Sequence, residues 1–242
     1  MLQFENVEKI MKKKRIIKNV SVQINKGESI GIVGPNGAGK STFLKILASV
    51  LKPDSGTVFY NGVPYSKNVQ DLRKQIGYIP QEIALFEELT VKDQIHFWKK
   101  AAKNMGSPTY ILEMLHALGL HHVYHQKVKA LSGGWKRKLN VCAGMLHNPD
   151  IILLDEPTAG VDLAAKDDLL TWLKSLHKSG KTIILISHEW DVINYLSDSI
   201  FVLQNGEILF EGPSEQLDQF EKDQLDLEEN QELIKILRQR KR

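Results

Sequence analysis

The 242-residue chain has one cysteine, no long apolar run and a formal net charge of only +3. A lone thiol, Cys142, excludes any disulfide within the chain. Its setting, Leu139-Asn140-Val141-Cys142-Ala143, reads as an apolar helix in which the thiol fills core, and a reducing, cytoplasmic compartment is expected. A bilayer-spanning helix needs ~20 apolar residues, whereas the longest runs here, such as residues 151–154, are strand-sized. The opening Met1-Leu2-Gln3-Phe4-Glu5 lacks the charged and apolar regions of a secretory signal, so none is expected. So small a charge excess argues against nucleic acid as the main partner. Internal repeats and low-complexity linkers are also missing. The 42% of hydrophobic residues suffices for a full core in one large domain or two small ones.

The most informative stretch present is Gly34-Pro35-Asn36-Gly37-Ala38-Gly39-Lys40-Ser41, a GxxxxGK[ST] pattern. Before it lies Ser29-Ile30-Gly31-Ile32-Val33, expected to be a buried strand. After it, Thr42-Phe43-Leu44-Lys45-Ile46-Leu47 has the apolar spacing of a helix. Glycines let a backbone wrap closely around an anion with successive amides pointing inward, and the helix adds its positive N-terminal end. Lys40 is placed to reach β- and γ-phosphates, and Ser41 offers a hydroxyl to Mg²⁺. Residues 34–42 are thus candidates to bind a nucleoside triphosphate.

Further along, the expected elements alternate. The first ~30 residues read as short strands around a basic tip, Lys12-Lys13-Lys14-Arg15, expected to be solvated. Thr57-Val58-Phe59-Tyr60 meets Val63-Pro64-Tyr65 across Asn61-Gly62, a strong hairpin signal. Residues 76–79 read as a strand, and from about Thr90 to Leu120 and through residues 134–146 the spacing is helical. Strands return at residues 151–154 and 182–186 with an amphipathic helix near 162–178 between them, and residues 200–204 and 207–210 flank Asn205-Gly206 as a closing hairpin. The expected fold is α/β: a P-loop NTPase core with a mostly parallel sheet, an N-terminal antiparallel β portion, and a helical subdomain inserted at about 86–148. Beyond Gly212 the chain is charged and helix-prone; Leu225, Leu227, Leu233, Ile234 and Leu237 would pack on a partner or belong to a solvated tail ending in Arg242.

Two carboxylates, Asp155 and Glu156, follow the apolar residues 151–154, at the strand end where α/β sheets place ligands. Asp155 would help hold Mg²⁺, and Glu156 would polarise an attacking water. Ser187-His188 closes the next apolar strand, where a neutral imidazole can hydrogen-bond a γ-phosphate. Gln81, after Tyr78-Ile79-Pro80, stands at the mouth of the helical insertion, where its amide can touch both metal and water while its loop moves. Leu131-Ser132-Gly133-Gly134-Trp135 heads a helix, making a second anion site. One triphosphate has no need of two such sites in one domain. Two copies facing head to tail have a use for them, each Ser132-Gly133-Gly134 capping the γ-phosphate at the other's Lys40; the alternative is an ordinary helix cap. His121, His122 and His125 lie close in sequence, but without a nearby cysteine or carboxylate a surface cluster is expected rather than a metal site.

With these motifs in this order, the chain resembles the ATP-binding subunit of ABC transporters over about residues 1–215, leaving 216–242 as a charged helical tail. The resemblance implies ATP and Mg²⁺ as ligands, with Lys40, Gln81, Glu156 and His188 catalytic and Ser41, Gln81 and Asp155 around the metal. It implies a paired ATPase subunit as partner, with the loop of Asp162 crossing the interface, and membrane permeases as further partners, facing Gln81 and residues 86–98 from the cytoplasmic side of the membrane. No nucleic acid is expected. The pattern departs from the family twice. Trp135 stands where the signature usually ends in glutamine, and Met11 stands where an aromatic usually stacks on adenine. Two other readings follow from the same motifs: a non-transport ABC ATPase acting on ribosomes or DNA, and a weakly catalytic nucleotide-sensing module.

Overall fold

The computed structural model describes residues 1–102, 105–224 and 230–241. Alternating buried residues at Leu2 and Phe4, then at Ile17, Val20, Val22 and Ile24, give β1 (Leu2–Met11) and β2 (Lys14–Ile24) one apolar face each. They pair antiparallel from Leu2 opposite Ile24 to Met11 opposite Lys14. The basic tip is therefore only Lys12 and Lys13, both with positive φ; Lys14 and Arg15 belong to β2. The fully buried β3 (Ser29–Val33) leads into α1 (Lys40–Leu47). The expected Asn61-Gly62 hairpin joins β4 (Ser55–Tyr60) to a two-residue β5 (Val63–Pro64). Tyr65, expected in the strand, instead opens α2 (Tyr65–Gln75), a helix kinked at Asn68 whose apolar stripe is only Tyr65, Val69 and Leu72.

Then follow β6 (Ile76–Ile79), α3 (Val91–Ala101), α4 (Pro108–Ala117), α5 (Gly133–Met145) and β7 (Ile151–Asp155). The chain continues through α6 (Leu163–Lys178), β8 (Thr182–Ile186), α7 (Trp190–Leu196), β9 (Ser199–Gln204) and β10 (Glu207–Gly212). It closes with α8 (Leu217–Gln224) and α9 (Gln231–Arg238). Two sheets result, ordered β2-β1-β4-β5 and β10-β9-β3-β8-β7-β6. The first is antiparallel; the second is parallel except for β10. This is the expected α/β class.

Helix α1 is clamped between the two sheets. Phe43, wholly buried, stacks on Phe4 with ring centroids 4.9 Å apart and meets Phe201 edge-on at 6.5 Å. Burying a Phe contributes about 1.5–3 kcal/mol, so the residues that fix α1 also fix the loop at its N-terminus. Helices α3, α4 and α5 all lie between β6 and β7 in the chain. Thr90 caps α3 by accepting from Asp93 N, and Ser107 caps α4 ahead of a Pro at its first turn. Cys142 is buried in this helical core, as expected of a filler, with its thiol pushed up to about 12 by burial.

The tail does not behave as expected. Leu217, Leu233 and Leu237 are buried against Trp190, Ile193, Ile200 and Val202 of the same chain, and Trp190 Nε1 donates to Ile236 O at 2.8 Å. An amphipathic helix buries its stripe wherever an apolar face is vacant, here on its own sheet, so Leu233, Ile234 and Leu237 are not left for a partner. Leu225, Leu227 and Arg242 lie outside the described residues. Among the described residues no helix is long and apolar enough to cross a membrane.

Candidate functional site

The loop between β3 and α1 exists because two glycines stand where no other residue fits. Gly34 has φ 152°, and a Cβ there would lie 1.9 Å from Leu203 O; Gly39 has φ 106°, with a Cβ 2.7 Å from Ile16 O. Lys40, buried, folds its ammonium over the loop, donating to Gly34 O at 2.6 Å and Pro35 O at 3.0 Å. Burial holds its pKa below the usual lysine value, with Glu156 and Asp155 opposing. The loop floors a groove of about 310 Å³ lined by residues 36–42, Gln81, Asp155, Glu156 and His188. Gly34 and Pro35 lie behind this wall. These four segments, distant in sequence, thus converge on one cleft.

Strand β7 delivers both acids. Asp155 is buried, and Ser41 Oγ donates to its Oδ1 at 3.3 Å. Burial raises its pKa, while the Ser41 hydroxyl and the charges of Lys45, Lys40 and Arg137 oppose the rise. Glu156 takes the left-handed conformation, φ 52°, uncommon outside glycine and characteristic of functional turns. Its N–H donates to Ile186 O at 3.0 Å. The side chain is buried, and His188 Nε2 lies 3.3 Å from its Oε1 but out of hydrogen-bonding alignment, so that oxygen is buried without a hydrogen-bond partner. Burial pushes the Glu156 carboxyl up to about 7; a bond from the His188 backbone and Lys40 oppose this, and Asp155 and Glu189 add to it. His188 is half exposed, its pKa lowered by partial burial and by the Lys40 charge.

Gln81 is exposed at the groove's edge, and helix α5 steadies its segment. Arg137 Nη1 donates to Pro80 O at 3.3 Å; Asn140 donates to the same carbonyl at 3.5 Å and accepts from Ala84 N at 3.3 Å. Arg137 is buried with its Nε unpartnered. Neither residue was anticipated. Their signal was two polar side chains on the buried face of a helix otherwise filled by Leu139, Val141 and Cys142. The hydroxyl of Ser41, carboxylate of Asp155 and amide of Gln81 form a hard-oxygen donor set on one groove, which fits Mg²⁺.

Other predicted residues lie elsewhere. Met11 sits at the end of β1, 42% exposed, and does not line the groove; Ile16 does. Ser132, Gly133 and Gly134 are also outside it. They form the start of α5 and pack on the turn of Asp162: a Cβ on Gly134 would lie 2.9 Å from Asp162 Oδ2. Asp162 caps α6, accepting from Ala165 N at 3.0 Å. Ser132 is exposed and its hydroxyl makes no cap hydrogen bond. The Trp135 ring packs beside Gly119 with the Lys138 ammonium 4.9 Å from its centre. His121 stacks with His116 and His122, whereas His125 meets Tyr124. Residues 120–123 form a 3-10 turn, so His121 and His125 do not share an α-helical face. Among the described residues no group of three or more His, Cys, Asp or Glu is arranged to hold a metal ion.

A glycine-built strand-to-helix loop, a lysine folded over it and paired acids ending a neighbouring parallel strand define a P-loop nucleoside triphosphatase. The ABC transporter family profile matches residues 17–159, and the chain belongs to that family. Over 211 residues it is 36% identical to the linearmycin resistance ATP-binding protein LnrL of Bacillus subtilis, covering 86% of this chain and 68% of that one. It is 34% identical to the lantibiotic transport ATP-binding protein SrtF of Streptococcus pyogenes, covering 87% of this chain and 90% of that one. Among solved structures, a dimeric bacterial ABC transporter cassette superposes with a TM-score of 0.78 at 28% identity, covering 88% of this chain and 98% of the other. A dimeric cassette in a post-hydrolysis state bound to ADP and Pi gives 0.77 at the same identity and coverage. The protein is an ATP-binding and ATP-hydrolysing subunit of the transport class.

Proposed function

We propose that two copies of the chain, or one copy and a related cassette, close around ATP and reopen after hydrolysis, driving transport through separate membrane permeases. The observation that carries this reading is the position of Ser132-Gly133-Gly134. These residues do not line the groove of their own chain, a serine hydroxyl is unused at the helix cap, and they suit the terminal phosphate of a second copy. Dimeric relatives of the same fold support it. The loop of Asp162, packed on Gly134, would lie at the same interface.

Within each site the amides of residues 36–42 and Lys40 would bind the phosphates, and Ile16, with Met11 at the tip beyond it, offers an apolar surface to the base. Ser41, Asp155 and Gln81 would hold Mg²⁺, which supplies charge neutralisation to the phosphoryl groups. Glu156, with a pKa about 7, is poised to accept the proton of the attacking water. His188 would hold the γ-phosphate, its lowered pKa leaving the ring neutral to donate one hydrogen bond. For the permease, exposed Ile83, Phe86 and Phe97 form an apolar patch next to Gln81, with Phe86 and Phe97 edge to face at 4.8 Å. Those exposed aromatics support a membrane-protein partner over ribosomes or DNA, with the subunit working at the cytoplasmic face of the membrane.

The test is Glu156→Gln. Hydrolysis is expected to fall about 100-fold or more with MgATP affinity retained, and the wild-type chain to co-purify from detergent extracts with a polytopic membrane protein. Wild-type turnover in the variant, or co-purification with nucleic acid instead, overturns the reading.

A further inference from the structure

The 3.3 Å approach of His188 to Glu156 does not hold itself together. The two side chains are not hydrogen-bonded, so their spacing is set by the bond from the His188 backbone to the Glu156 carboxyl and by the loops that carry them. Those loops are joined again on either side of the pair. On one side Glu156 N donates to Ile186 O at 3.0 Å. On the other, Thr158 Oγ1 donates to Glu189 Oε1 at 2.6 Å. Thr158 is buried, where a hydroxyl without a partner would be destabilising. Glu189 is held a second time: Lys166 Nζ donates to its Oε2 at 2.6 Å and to Asp191 Oδ2 at 2.7 Å. Lys166 stands one turn into α6, and its own N–H donates to Asp162 O at 2.9 Å. A rigid path of short bonds therefore runs from the helix headed by Asp162, through Lys166 and Glu189, to the residue next to His188.

We propose that Thr158, Glu189 and Lys166 form a positioning latch that fixes His188 against Glu156 for hydrolysis and ties that spacing to the helix headed by Asp162. None of the three lines the nucleotide groove, so they are positioning residues, and breaking the latch affects turnover rather than nucleotide binding. The inference rests on the reading in which Glu156 and His188 carry hydrolysis. Because the Asp162 turn also packs on Gly134, the latch would make each site sensitive to closure at the other.

The test compares steady-state ATP hydrolysis by the full chain carrying Thr158→Val, Thr158→Ser, Glu189→Ala, Glu189→Gln or His188→Ala. Thr158→Val and Glu189→Ala are each expected to lower kcat about tenfold with KM for ATP unchanged within about twofold. Thr158→Ser, which keeps the hydroxyl, should retain at least about a third of kcat, and Glu189→Gln, which keeps one accepting oxygen of the two, should fall between wild type and Glu189→Ala. The Thr158→Val/Glu189→Ala double variant should be no slower than the slower single, because both break the same Thr158–Glu189 bond. Equal losses in the Ala and Gln variants of the half-exposed Glu189 contradict the latch, as do multiplicative losses in the double variant. If His188→Ala loses hydrolysis while Thr158→Val does not, the latch fails and the underlying reading stands. If His188→Ala hydrolyses normally, the reading itself fails.

Discussion

The carboxyl of Glu156 is held in a state the unfolded chain does not share, and this makes a quantitative prediction about stability. Its pKa rises from 4.5 to about 7 on folding, chiefly through burial. Below pH 4.5 the group is protonated in both states and contributes nothing. Between 4.5 and 7 the unfolded chain releases the proton while the folded chain keeps it, so native stability falls as pH rises. Above 7 both are ionised and the penalty is constant. At ~1.4 kcal/mol per pH unit the full penalty is about 3 kcal/mol. Glu156→Gln keeps the shape and removes the ionisation. Urea unfolding of both proteins without nucleotide, at pH 5, 6, 7 and 8, measures the difference, since titrating groups away from Glu156 cancel. The variant should gain under about 1 kcal/mol at pH 5 and about 3 kcal/mol at pH 8. A gain that does not change with pH, or a loss at pH 8, would refute the burial of an ionisable carboxyl poised near neutrality. Sites that trade stability for activity in this way are common in enzymes.

Two further outcomes follow from the loop and its support. Gly39→Ala forces a side chain into φ 106° and 2.7 Å from Ile16 O; it should destabilise the protein by about 1–3 kcal/mol and abolish binding of a fluorescent ATP analogue, and near-normal binding would show that the loop tolerates another path. Phe43→Ala should lower the unfolding free energy by about 3–5 kcal/mol, read by urea titration; a change under about 1 kcal/mol would mean that α1 is not clamped between the sheets.

How much of this was legible in sequence depends on how local the cause is. Residues 34–41 and the acids after residues 151–154 were readable because each motif sits on its own strand-to-loop junction. The hairpins were readable from Asn-Gly turns and alternation. Helix α2 was not: its stripe is only Tyr65, Val69 and Leu72, of which Leu72 alone is fully buried, and the Asn61-Gly62 hairpin signal claimed Tyr65 for a strand. The tail was misread because its apolar stripe fits a face created by Trp190, Ile193, Ile200 and Val202, which exists only after β9 and α7 have docked. Counting along the strand put Met11 at the base, whereas the residue of that hairpin lining the groove is Ile16, which no motif marks. Thr158, Lys166 and Glu189 belong to three different elements, and nothing in any one of them signals the others. Arg137 and Asn140 left a trace, as polar residues on an apolar helical face, that a search for buried polar groups would find.

The central claim is that ATP is bound by two chains at once, and the solution mass of nucleotide-loaded protein tests it most directly. Analytical ultracentrifugation of Glu156→Gln with MgATP, alone and with the added change Ser132→Arg, should give a dimer for the first and a monomer for the second, each monomeric without nucleotide. Ser132 is exposed and makes no cap bond, so the added arginine leaves the single chain intact. A monomer in the first sample, or a dimer that survives Ser132→Arg, would contradict the shared site.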